Sequence, residues 1–351
     1  MKATDENIPP TLSRPHGWVI SALSALLLVG LTLANVFFGS IDIPAADVLA
    51  ALLGNAPEGS LESIILTQSR LPQVFCAILA GASLATAGLL MQTVFSNPLA
   101  DPSILGIGTG AALGVAVAML LMGGSAAGLG IAMGGFLLSA AAAFIGALAV
   151  TFLLLALQRF LPGQLMLLVA GVMLSFAGSS LISMINFWST AQGVQSYMMW
   201  GLGSFSELSP TLVPLFAAIV CLSLSGTWLL SKPLDALLLG EDYAKGLGVD
   251  VRRVQSLVLL LTGMLVAVTT AVCGPITFIG LAVPHIARLL TKKSTHRTLL
   301  PTTMLWGAIV ALACNLIAHV PGDYGIYPIN TLTPLIGVPM VFYLLIRERK
   351  H

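Results

Sequence analysis

The chain has 351 residues, 57% of them hydrophobic and 8% charged, with a formal net charge of +1. Soluble domains carry about 25% charged residues, so a water-covered globule is excluded and lipid must face most of the surface. The net charge says nothing about nucleic acid, but no basic stripe interleaved with aromatics is present, so no nucleic-acid partner is expected.

Met1–Gly17 is polar and mixed, and the apolar run after it is long enough to cross a bilayer. It is expected to be the first span, not a cleavable leader. No Asp, Glu, Lys or Arg occurs in 15–41, 71–100, 102–158, 160–206, 208–231, 254–287, 298–322 or 324–346. A spanning helix needs about 20 apolar residues, whereas a barrel would show alternating segments of about 10. These runs are long and unalternating, so the expectation is all-α. Cut at Gly, Pro and polar clusters, they predict about ten spans: 17–38, 71–93, 103–122, 131–157, 164–185, 209–230, 255–272, 275–290, 299–318 and 331–346. The run at 102–158 is divided at the glycine-rich stretch 123–130. With no fixed-period repeat or linker, residues 1–351 are expected to form one domain.

Ten spans put both termini on one side, together with Lys2, Arg14, Arg159, Lys232, Lys245, Arg252, Arg253, Arg288, Lys292, Lys293, Arg297, Arg347, Arg349 and Lys350. Only Arg70 falls opposite. The excess of basic residues marks the cytoplasmic face, so both termini are expected there. Residues 39–69, with Asp42, Asp47, Glu58 and Glu62, then form an outer loop. Residues 231–254 form the largest inner one.

The four cysteines, Cys76, Cys221, Cys273 and Cys314, all lie in apolar runs without CxxC spacing. They read as small buried hydrophobes and not as a metal site. No phosphate loop, HExxH motif or nucleophile triad occurs, and no carboxylate lies deep in a span to titrate for a proton-coupled carrier. Energy for uphill transport must therefore come from a partner. A lone ion-coupled transporter, an intramembrane enzyme and a membrane scaffold are the alternatives.

Several local patterns have structural readings of their own. Ala77-x3-Gly81-x3-Ala85 and Gly106-x3-Gly110-x3-Gly114 place small residues on single helix faces, for packing within one bundle or at a dimer seam. Asp101-Pro102 reads as a turn that starts a helix. Gly240–Val249 reads as a short helix, with Glu241 and Asp242 at its start, Lys245 at its end and Gly246 or Gly248 as its stop. It either docks into another protein or folds back on the bundle. Residues 274–288 hold Gly274, Pro275, Gly280 and Pro284, so the span at 275–290 is expected to be kinked or broken. His285 there is a ligand or a hydrogen-bonded interfacial residue, and Arg288 is expected to snorkel to the surface. Tyr197 and Trp200 read as interface anchors.

Together these segments resemble one family. Ser69-Arg70-Leu71-Pro72, Gly81-Ala82-Ser83-Leu84-Ala85 with Gly88 and Gln92, and Asn97-Pro98-Leu99-Ala100-Asp101-Pro102 are similar to the first-half signature of FecCD-type permeases. So are Leu105-Gly106-Ile107 and Gly110-Ala111. Trp200, Gly203-Ser204, Gly240-Glu241, Ala244, Leu247-Gly248, Gly280-Leu281, Pro284-His285, Ala287-Arg288, Thr333, Ile336-Gly337 and Pro339 continue it in order, over roughly residues 20–347.

The family comprises membrane subunits of type II ATP-binding-cassette importers for ferric siderophores, haem and vitamin B12. The resemblance implies a second copy of the chain, two cytoplasmic ATPase subunits that bind the ATP and Mg, a periplasmic binding protein, and no cofactor on this chain. It implies that Gly240, Glu241, Asp242, Ala244, Lys245, Leu247 and Gly248 couple to the ATPase. It implies a pathway along the fifth and tenth spans, here Gly163, Gln164, Leu165, Met166 and Met173, with Met184 further along. The methionines line the path or simply pack. Arg70 and His319 are the implied docking positions for the binding protein. Related cobalamin permeases carry arginines where this chain has Gln73 and His319, and Asn330 stands where the family often has Gly. Ferric siderophore is the first expected cargo, ahead of haem and cobalamin.

Overall fold

The computed structural model of the chain describes residues 16–57, 59–121, 135–161, 163–319 and 326–348. Glu58, the glycine-rich break at 123–130, Lys2, Arg14, Arg349 and Lys350 lie outside the described residues. Among those described the protein is helical, with no strand.

In chain order the helices are α1 (His16–Phe37), α2 (Ala45–Leu52), α3 (Leu61–Ile65), α4 (Leu71–Val94), α5 (Ile107–Ala116), α6 (Gly135–Leu157), α7 (Gly163–Trp188), α8 (Ala191–Gly201) and α9 (Val213–Leu229). Then come α10 (Ser231–Leu237), α11 (Glu241–Gly246), α12 (Val251–Cys273), α13 (Ile279–Thr291), α14 (His296–Ala318) and α15 (Ile329–Glu348). A π-helical turn, Leu66–Arg70, fuses α3 to α4, and a second, Val117–Leu121, extends α5.

Each expected span has a counterpart, but their lengths are unequal. α1, the fused α3–α4 run, α6, α7, α12 and α14 are each long and apolar enough to cross a membrane. α9 joins them only if counted with α10, and the two meet at 54°. α5 with its π turn and α13 are shorter apolar helices. The 275–290 segment is broken as expected. Residues 274–277 are not helical, Phe278 adopts φ 68°, and α13 begins only at Ile279. Irregular backbone at such depth requires shielding by protein, and α4, α14 and α15 pack around α13.

α4 sits at the centre, and most of its side chains from Pro72 to Val94 are buried. The small-residue stripes explain how. Gly81 meets the backbone of Gly307 on α14, and Gly88 meets the backbone of Gly280 on α13. Gly110 and Gly114 likewise face Gly146 and Ala142 on α6. Lipid tails are as apolar as leucine, so helices gain by close backbone approach and dispersion contact. The stripes are therefore used inside the bundle.

Two expectations change. Asp101 does turn the chain, its Oδ1 accepting from the Ser103 amide at 2.9 Å, but turns continue through 106 and α5 starts only at Ile107. Gly106, at φ 79°, supplies the left-handed residue that this delayed start needs. Arg288 does not snorkel. Its guanidinium donates to Gln92 Oε1 on α4, which in turn donates from Nε2 to the Leu281 carbonyl at 3.2 Å. Two polar side chains inside the bundle satisfy each other more cheaply than either could against hydrocarbon.

Candidate functional site

Helix ends gather the polar residues into two groups. At one end lie α10, α11, the α6–α7 turn and the start of α14. α11 forms where the sequence predicts. Gly240 precedes it at φ 105°, Glu241 and Asp242 occupy its positive first turn, and Lys245 its last. Lys245 pairs at the surface with Asp242 at 3.2 Å and Glu241 at 3.8 Å, a solvent-screened contact that adds little.

Glu241 does more than start a helix. Its Oε1 accepts from Gln164 Nε2 at 2.6 Å, at the start of α7, and from Gln255 Nε2 at 3.0 Å, on α12. Gln255 is within 3.4 Å of Gln158 on the α6–α7 turn, which accepts from Ser256 Oγ at 2.9 Å. One carboxylate thus ties α11 to two long helices, beside a cavity of about 430 Å³ that Arg159 and Arg252 also border. Ala244 is fully buried, while Tyr243 is 55% and Leu247 60% exposed, next to exposed Leu239. Asp242 and Gly248 are also exposed. The helix is pinned on one face and offers an apolar patch on the other.

A second tie runs from α10. Asp235 Oδ1 accepts from the His296 amide and from its Nδ1, both at 2.7 Å, and His296 Nε2 lies 2.8 Å from Thr93 Oγ1 on α4. Sequence reasoning missed this link, because Asp235, His296 and Thr93 are far apart in the chain and each is unremarkable alone. His285 is accounted for structurally. Its Nε2 is 2.9 Å from the Pro98 carbonyl, which fixes the 97–102 turn onto α13.

Gly163, Gln164, Leu165, Met166 and Met173, expected from the resemblance to line a pathway, follow one another along α7. Leu165, Met166, Met173 and Met184 are all exposed on this chain, with Phe187 and Trp188 at the far end. This helix leaves an apolar flank that needs lipid, a second copy or the cargo to cover it.

The opposite end holds Arg70 and His319. Arg70 is only 4% exposed. Its guanidinium donates to the carbonyls of Val36, Phe37 and Ile41. It caps the C-terminus of α1, where carbonyls lack helical partners and the dipole favours a cation. At this position, where the resemblance implies docking of the binding protein, the guanidinium is engaged with the carbonyls that shape the 38–42 loop. Gln73 Nε2 reaches Ser206 Oγ at 2.9 Å, Asn315 Oδ1 at 3.0 Å and His319 Nε2 at 2.8 Å. Asn315 donates on to Asn35 Oδ1 at 2.8 Å. Burial pushes the His319 imidazole below its ordinary pKa, partly opposed by its bond to the Asn315 carbonyl. Asn330 accepts from Thr277 Oγ1 at 2.9 Å and so ties α15 to the break before α13. Of the three residues expected from the resemblance to depart from the pattern, Gln73 and His319 form one network, and Asn330 seals the break next to it. Tyr197 and Trp200 stack 6.1 Å apart on α8, and Trp200 lines a cavity of about 640 Å³ together with His319 and Cys273.

Comparison with known proteins agrees with this architecture. The model of the FecCD transport family matches residues 26–347. The vitamin B12 import system permease protein BtuC of Klebsiella pneumoniae is 37% identical over 336 residues, covering 96% of this chain and 95% of that protein. The BtuC proteins of Citrobacter koseri and Salmonella typhi are each 34% identical, over 333 and 340 residues. They cover 94% and 95% of this chain and 94% and 96% of themselves. A solved structure described as an inward-facing conformation of a metal-chelate type ABC transporter superposes with a TM-score of 0.80 at 30% identity, over 95% of this chain and all of that one. With a match across nearly the whole bundle, the chain belongs to the FecCD transport family and is a multi-pass permease of an ABC importer.

Proposed function

We propose that this permease carries a bulky metal chelate inward across the inner membrane, with both termini and α11 on the cytoplasmic side. Two copies, two ATPase subunits that bind ATP and Mg, and a periplasmic binding protein make up the working importer. Nucleotide binding moves α11, and the rigid helices attached to it rock to expose the path along α7 alternately to each side. The 231–254 segment belongs to the same bundle as the spans, so one domain receives and uses the force.

The observation that carries this reading is the two-faced α11. Ala244 and Glu241 fix it to the bundle, while Tyr243 and Leu247 stand exposed on its other side. An exposed apolar pair on a pinned helix suits insertion into a groove of another protein. Its fixing to Gln164 carries motion to the start of α7. Docking of the binding protein belongs at the opposite end. There Arg70 acts indirectly, by holding the loop that presents Asp42, and the His319 network forms the polar floor.

Cobalamin is the cargo favoured by the names of the relatives, ahead of the ferric siderophore expected from sequence. Ferric siderophore stays as the second reading, on the metal-chelate transporter whose fold this chain shares. The test uses the full complex in proteoliposomes. Leu247→Ser should weaken recovery of the ATPase with the permease and abolish ATP-driven uptake, while the permease still folds. ATPase recovery and uptake equal to wild type would refute the docking role. Competition between cobalamin and ferric siderophore for uptake in the same vesicles decides the cargo.

A further inference from the structure

Cys76 on α4 and the last residue of α12, Cys273, lie 197 positions apart in sequence, yet their sulfurs are 3.3 Å from one another. A disulfide bond is about 2.05 Å long, so a closure of a little over 1 Å would join them. Both are buried, but Cys273 also borders the cavity that His319, Trp200, Ser204 and Ser206 line, and Ser206 and His319 also line the pocket around Arg70. The other two cysteines, Cys221 and Cys314, have no such neighbour among the described residues.

From this geometry we propose that Cys76 and Cys273 form a reversible disulfide that pins α4 to α12 when a peroxide reaches the cavity. The proposal rests on the reading above for one point only, that this end faces the oxidising periplasm. The chemistry balances in two steps. The Cys273 sulfur attacks one peroxide oxygen, the O–O bond breaks, and water leaves behind a sulfenic acid. The Cys76 sulfur then attacks Cys273 Sγ, the S–O bond breaks, and a second water leaves. Two thiols and one peroxide become one disulfide and two waters, and a dithiol reductant reverses the change by exchange.

The bond would tighten a part of the molecule that already carries the polar network. Gln73 lies one helical turn before Cys76 on the same face of α4. The Cys273 carbonyl accepts from the Ser204 amide at 2.9 Å, and Ser206, just beyond, meets Gln73. Cross-linking the two sulfurs therefore freezes the floor on which cargo is received, and slows its transfer.

The test treats the purified complex with hydrogen peroxide, alkylates remaining thiols under denaturing conditions and maps the peptides by mass spectrometry. The expected product joins the Cys76 and Cys273 peptides, lighter by the two hydrogens lost, and disappears on reduction. It should persist in Cys221→Ser and Cys314→Ser and vanish in Cys76→Ser. Both thiols still alkylated, or oxidised separately to sulfinic acid, would overturn the proposal. This readout is independent of transport, so it stands or falls apart from the cargo assignment. In vesicles, oxidation should lower uptake several-fold in the wild type, reversibly, and leave Cys76→Ser unaffected. Disulfide formation with unchanged uptake would overturn the pinning role.

Discussion

Glu241→Ala removes the acceptor that holds α11 to Gln164 and Gln255. A hydrogen bond to a charged group contributes about 1.5–3 kcal/mol when buried. The Glu241 side chain is 41% exposed, so each bond is discounted for solvent screening to about 1 kcal/mol. Losing both shifts the balance between a pinned and a loose helix by about 2 kcal/mol, roughly thirtyfold at 1.4 kcal/mol per decade. The neighbouring Lys245 pair is exposed and adds little. The assay is cargo taken up per ATP hydrolysed by the reconstituted complex. Hydrolysis should persist while uptake per ATP falls about tenfold or more, and Glu241→Gln, which keeps an acceptor without the charge, should fall between. A double-mutant cycle with Gln164→Ala should show coupling of about 1 kcal/mol, because the two residues share one bond. An unchanged ratio in an intact complex, or purely additive effects, would refute transmission through this carboxylate.

Three further outcomes follow from the packing and the polar networks. Gly81→Val drives a side chain into the Gly307 backbone and should cost about 3 kcal/mol or more, read as a lower unfolding temperature in detergent. Gly30→Ala, where nothing lies within 4 Å, should leave it unchanged. Arg70→Ala abandons the carbonyls of Val36, Phe37 and Ile41 and should destabilise by about 3 kcal/mol. An unaltered unfolding temperature would show that α1 needs no such cap. For His319 the folded pKa lies below the unfolded value of about 6.5, so the neutral ring favours the fold. Its stabilisation is present above that pH and is lost as pH falls towards the folded pKa. Stability of the wild type should decline more steeply than that of His319→Gln as pH is lowered through that window, and parallel curves would exclude the effect.

Long uncharged runs determined the helical membrane bundle, because removing a backbone from water leaves only internal hydrogen bonding to satisfy it. Local chemistry alone was also enough for α11, where two acids, a lysine and bracketing glycines state the ends of a short helix. The break before α13 was equally legible, since proline and glycine act on the backbone where they stand. Partner choice was not. The stripes on α4 and α5 allowed a dimer seam or internal packing, and only the fold brought Gly81 to Gly307 and Gly110 to Gly146. The partners of Arg70 were not legible because they are carbonyls, which every residue carries and no sequence distinguishes. Glu241 with Gln164, Asp235 with His296 and Cys76 with Cys273 are joined across 61 to 197 positions. Such pairs arise from how whole helices are laid together, and that arrangement is decided by the sum of many small contacts, not by any local pattern.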